Sequence, residues 1–69
     1  MISKKMNKAL NVQLNHEFYS AYLYLAMSAY CSKKDFPGAA NCFLLQYQEE
    51  QEHATRIYNY LIEQDQAEV

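Results

Sequence analysis

The sequence predicts an all-α chain folded as one antiparallel helical hairpin. Three observations carry this. One Gly and one Pro in 69 residues leave too few chain breakers for a run of short strands and turns. The single stretch of strong punctuation, Cys31-Ser32-Lys33-Lys34-Asp35-Phe36-Pro37-Gly38, falls near the middle. On both sides of it apolar residues recur at three- and four-residue spacing, the period of a helix face.

Ser3 is a good N-cap, because its hydroxyl can accept a hydrogen bond from an orphan N–H of the first turn. Nothing after it breaks a helix until about residue 32, which predicts a first helix over about 3–32. Lys33 and Lys34 suit the negative end of that helix, and the turn is predicted at 33–35. Asp35 is expected to cap a second helix, with Pro37 in its first turn, where the missing N–H costs little. That helix is predicted over about 36–64, before a polar tail. Helices of about 30 residues are about 45 Å long, and a turn this short makes them pack antiparallel. Residues 1–69 are thus expected to form one hairpin domain.

Composition narrows the function. Hydrophobic residues make up 51% of the chain and seven are Tyr, enough for a core. Yet a chain of this length buries only about 60% of the surface it exposes when unfolded, so a metal or self-association is the expected reinforcement. A net charge of −2 and a pI near 5.5 argue against nucleic acid, which calls for a clustered basic face. Lys4, Lys5 and Lys8 read as a solvated first turn. No apolar run approaches the length of about 20 residues that a membrane span needs, and the N-terminus lacks the apolar centre of a signal peptide. Cys31 and Cys42 fit neither a Cys-x-x-Cys spacing nor a disulfide framework. Two reduced, buried thiols in a cytoplasmic protein is the expectation.

The apolar pattern is wider than one hairpin needs. Met6, Leu10, Leu14, Ala21, Tyr24, Met27 and Cys31 form one stripe of the first helix; Phe18, Tyr22, Leu25 and Ala29 form a second. A helix apolar nearly all round is buried on several sides. Other helices must therefore meet it.

Chemistry enters through ionisable residues on those faces. Glu17 interrupts the first stripe between Leu14 and Ala21. On the second helix, Phe36, Ala39, Phe43, Tyr47, Glu50, His53, Ile57 and Leu61 are expected to form the inward row. A buried carboxylate is paired, neutralised or bound to a metal. If the hairpin turns near residue 34, facing residues carry numbers that sum to about 68. Glu17 then lies level with Glu50 and His53 to within about 1.5–3 Å along the axis. A Glu-x-x-His pair alone is a weak signal, and its bland counterpart is a surface pair at i,i+3. Convergence of three such groups at one height points to a metal, and carboxylate with imidazole suits iron or manganese better than a thiolate zinc site. Glu52 and Arg56, at i,i+4, read as a surface pair, and His16 as exposed. Tyr24, two turns beyond Glu17, is either core or a hydrogen-bond donor to a metal ligand. No phosphate-binding Gly loop and no nucleophile with a paired base stand out.

Residues 15–27, Asn-His-Glu-Phe-Tyr-Ser-Ala-Tyr-Leu-Tyr-Leu-Ala-Met, resemble the first helix of the bacterial non-haem ferritins. Phe36-Pro37-Gly38-Ala39-Ala40 and Gln48-Glu49-Glu50-Gln51-Glu52-His53-Ala54 resemble their second. The resemblance covers nearly the whole chain. It implies half of a ferritin-like four-helix bundle that binds iron, oxidises Fe(II) to Fe(III) with O₂ or peroxide, and stores the product in a shell of many subunits. It also implies roles: Glu17 and His53 as terminal ligands of one iron, Glu50 as a bridge between two, Glu49 as a holder of a third, and Tyr24 as the tyrosine beside the di-iron centre.

Ferritin subunits have four long helices, and two are present here. The implied partners are thus either the missing C-terminal half or a second copy. Two hairpins related by a twofold axis would together supply two Glu and two Glu-x-x-His sets, a full di-iron ligand set. Two other readings compete. One is a helical assembly module with no chemistry of its own. The other is a di-iron carrier or peroxidase of the rubrerythrin kind, which lacks here its usual cysteine-rich site.

Overall fold

A computed structural model describes residues 2–68. Two helices, α1 (Lys4–Lys33) and α2 (Pro37–Glu63), pack against each other as an antiparallel hairpin measuring 49 × 14 × 12 Å. The all-α hairpin expected from the sequence is what forms. No helix among the described residues is long and apolar enough to cross a membrane.

Local chemistry fixes the helix ends. The Ser3 hydroxyl accepts from the Met6 N–H at 3.1 Å, satisfying one donor that the first turn leaves free. At the other end of α1 the Phe36 N–H reaches the Cys31 carbonyl at 2.8 Å, and the Asp35 N–H reaches Ser32 at 3.1 Å. This paired closure needs a left-handed residue just past the helix, usually Gly. Asp35 takes that place with φ 65°. The expectation that Asp35 caps α2 is therefore corrected. An N-cap has extended or otherwise non-helical backbone with negative φ, and Asp35 is already committed to the left-handed region, which Asp tolerates better than most residues. Phe36 stands at the N-cap of α2 without a side-chain bond, and Pro37 opens the helix. Asp65 (φ 56°) closes α2 in the same way, with the Gln66 N–H on the Leu61 carbonyl and its own on Ile62, both at 2.9 Å.

The core is small and lies toward the open end of the hairpin. Leu14, Ala54 and Leu61 are fully buried, and Ile2, Leu10, Ile57 and Ala67 pack against them. Ala21 is the remaining buried apolar residue, close to the middle of α1. Several residues of the expected inward rows fall elsewhere. Phe36 is 62% exposed, Met6 and Met27 about half exposed, and Ala39 and His53 are exposed. Ala40 and Ala54 stand on the contact line instead. The expectation of two buried thiols is likewise corrected: Cys31 is half-buried and Cys42 exposed. Two helices touch along one narrow stripe, so positions on its flanks stay open where a larger bundle would cover them.

The segment after α2 is held by asparagines of α1. The buried Asn11 amide donates to the Gln66 carbonyl at 2.9 Å, and its oxygen accepts from the Glu68 N–H at 2.5 Å. It thus pairs with the tail much as a neighbouring strand would. Asn15 adds a bond to the Glu68 carbonyl at 3.0 Å. The tail therefore climbs α1 from the level of Asn11 to that of Asn15.

Candidate metal centre

Glu17 projects from the middle of α1, and Glu50 and His53 from α2 at the same height. One ligand atom from each lies within 4.8 Å of the others. His53 Nδ1 stands 3.6 Å from Glu17 Oε2 and 4.0 Å from Glu50 Oε1. The carboxylates are mostly covered, with side chains 15% and 19% exposed, whereas His53 is 54% exposed. Expected on the inward row, His53 stands instead on a flank that it shares with Ile57 and Tyr60 at i+4 and i+7. The cluster consequently opens to one side of the hairpin.

Two carboxyls this close cannot both ionise freely. Glu17 is held below the ordinary carboxylate range, chiefly by its hydrogen bond with the Glu50 carboxyl, then by Gln13 and the charges of His53 and His16, against the opposing effect of burial. Glu50 is pushed above that range by the same interaction with Glu17, by burial, and by repulsion from Glu17 and Glu49. Glu50 is thus the member that takes up a proton first as pH falls, and a cation placed between the pair would compete with that proton.

The donor set fits such a cation. With Glu50 ionised, Glu17 Oε2 is buried and has no hydrogen-bond partner, a costly state for a carboxylate oxygen unless something positive faces it. Two carboxylates and an imidazole from facing helices are the oxygen-rich, mixed ligands that iron or manganese takes.

The other residues singled out from the sequence are placed differently. Tyr24 is half-buried and stacks on Phe43, with ring centroids 6.4 Å apart. Glu49 and His16 are exposed and outside the cluster. Glu52 and Arg56 form an exposed ion pair at 2.7 Å. Sequence reasoning passed over Gln13, whose Nε2 donates to Glu17 Oε1 at 2.6 Å. Its signal was there in the i,i+4 spacing of Gln13 and Glu17.

The ferritin-like domain family matches residues 7–69. The chain belongs to the ferritin-like family. Over 61 residues, 88% of its length, this ferritin-like chain is 49% identical to the bacterial non-heme ferritin of Staphylococcus aureus (strain USA300). It is 44% identical over the same share to the bacterial non-heme ferritin of Staphylococcus saprophyticus. The ferritin-like chain spans just over a third of these relatives, 37% and 36% of their lengths.

Proposed function

We propose that the chain binds iron through Glu17, Glu50 and His53, and that a second helical hairpin completes a di-iron centre that oxidises Fe(II) to Fe(III) for storage. The observation that carries this is the convergence of the three side chains from both helices on one point. Iron is here the substrate and the cargo.

Glu17 and His53 hold one ion from opposite helices, and Glu50, between them, bridges to a second. One hairpin offers two carboxylates against two divalent ions. A second hairpin, whether another copy or the rest of a longer chain, doubles the ligand charge and so matches them. Paired sites hold two metals about 3.5–4 Å apart, so that two Fe(II) can each give one electron to a shared oxidant, O₂ or peroxide. In this reading Glu49, exposed one position before the bridge, would serve a further iron site, and Tyr24, stacked on Phe43, would be the tyrosine of the centre. Larger self-association into a shell serves storage. Cys31 and Cys42, both free, fit a reducing cytoplasm.

Anaerobic titration with Fe(II) tests the assignment. Glu50→Ala is expected to weaken binding most, by at least tenfold, because a bridging carboxylate serves two ions, and Glu52→Ala to leave it within about twofold. Equal losses from the two changes would refute the assignment. Tight binding with no oxidation in the assembled protein would favour an assembly module.

A further inference from the structure

Gln13 and Glu17 lie one helical turn apart on α1, and the Gln13 Nε2 donates to Glu17 Oε1 at 2.6 Å. The other carboxylate oxygen, Oε2, is buried, has no hydrogen-bond donor while Glu50 is ionised, and faces His53 Nδ1 at 3.6 Å. The two oxygens of one carboxylate are thus in unlike states. One is occupied by an amide from its own helix, and one is bare and aimed across the hairpin at the imidazole.

From this geometry we infer that Gln13 is a positioning residue for the metal centre: it holds Glu17 by Oε1 and presents Oε2 alone to the cation. The inference rests on the iron-binding reading above and deepens it. An i,i+4 Gln–Glu contact on a helix surface would, by itself, be a few tenths of a kcal/mol of helix stabilisation. What sets this one apart is its acceptor. A hydrogen bond to an ionised group is short and strong, and this one fixes the side chain whose second oxygen the cluster leaves unpaired. The donor's chemistry also fits. A Lys or Arg at residue 13 would orient the carboxylate but cancel the charge that attracts a cation. An amide orients it and leaves that charge in place. Because Gln13 and Glu17 share one helix, the bond forms with α1 itself and stands ready before a metal arrives.

The test uses Zn(II), a diamagnetic probe, on the full chain. In the metal-free protein the Gln13 side-chain amide resonances should shift in Glu17→Ala, and in the wild type they should move again as Zn(II) binds. Gln13→Leu keeps the size and helix propensity but removes the donor. It should weaken Zn(II) binding by about tenfold, the usual scale for losing a group that supports a ligand, with helicity and melting temperature unchanged. Gln48→Leu, on the outer face, should bind as the wild type does. A Gln13 amide unmoved by both Glu17→Ala and Zn(II) would overturn the inference, and so would Gln13→Leu binding within twofold of the wild type. A fall in affinity that tracks a fall in melting temperature, with a silent amide, would also overturn it by making the role structural. Failure of the wild type to bind Zn(II) through Glu17 and Glu50 would sink the iron-binding reading itself. Failure of the Gln13 arms alone would leave that reading standing.

Discussion

The two halves of the hairpin, on either side of the Glu17–Glu50–His53 cluster, are finished to different degrees. Toward the open end, Leu14, Ala54 and Leu61 are sealed, and the tail is latched across α1 by Asn11 and Asn15. Toward the turn, the Ser28 hydroxyl reaches the Ala40 carbonyl at 2.7 Å and Tyr24 stacks on Phe43. Yet Phe18, Tyr22, Leu23, Leu25, Met27 and Leu44 are all exposed there. Soluble monomers rarely show apolar surface of that extent. The open-end half also exposes Met6, Val12, Tyr58, Tyr60 and Ile62, but it alone combines a sealed core with a latched tail; the turn half has neither. The Glu17–Glu50–His53 cluster sits at the junction, covered on the side of the carboxylates and open at His53.

That contrast has a mutational signature. Leu61→Ala should cost about 2–5 kcal/mol, since it opens a cavity in the sealed cluster of Leu14, Ala54 and Leu61. Leu25→Ala should cost far less in dissociated chain, where Leu25 is already 41% exposed, and should show instead as weaker association. Chemical denaturation at low and high protein concentration separates the two. If both changes act alike at every concentration, the halves do not differ as described.

Asn11→Leu is a milder cut. It removes the donor to the Gln66 carbonyl and the acceptor for the Glu68 N–H, and should cost about 1–3 kcal/mol. Hydrogen exchange would locate the damage: faster exchange is expected at residues 66–68, with the turn end unaffected.

The smallest effect separates stability from binding. Glu50 has its pKa raised in the folded state, so its share of stability is present at acid pH and fades as pH rises through that value. Glu17, with a lowered pKa, acts in the opposite sense, losing its share as pH falls through its own value. Wherever both carboxyls are ionised the pair repels, and Glu50→Gln should there raise the melting temperature of the metal-free protein while impairing metal binding. The gain should shrink below the ordinary carboxylate range, where Glu50 is protonated in any case. A wild type more stable than Glu50→Gln at neutral pH, without metal, would contradict this.

Much of this was legible in the sequence, for reasons that are local. Ser3 and Pro37 act where the residue types act in any helix, and the interhelical register follows from where the turn lies. Glu17 stood out because it interrupts an apolar stripe. What was not legible depends on tertiary context. Asp35 has two plausible roles, and only the path of the chain into Phe36 chooses between them. His53 and Ala54 are neighbours on the wheel, and only the packing of the two helices decides that Ala54 is buried and His53 exposed. The latch joins residues more than fifty positions apart. Its trace was nonetheless present in Asn7, Asn11 and Asn15, poor helix formers repeated at four-residue spacing on one face.

The central claim is that one hairpin carries half of an iron centre. Stopped-flow oxidation of Fe(II), followed across a protein dilution series that spans dissociation, tests it most directly, with the assembled fraction measured in parallel by ultracentrifugation. A half-centre cannot hold two irons at the separation that a shared oxidant requires. The rate per chain should therefore follow the assembled fraction and fall toward the protein-free rate once the chains separate. A rate per chain that holds constant through dissociation would contradict the account.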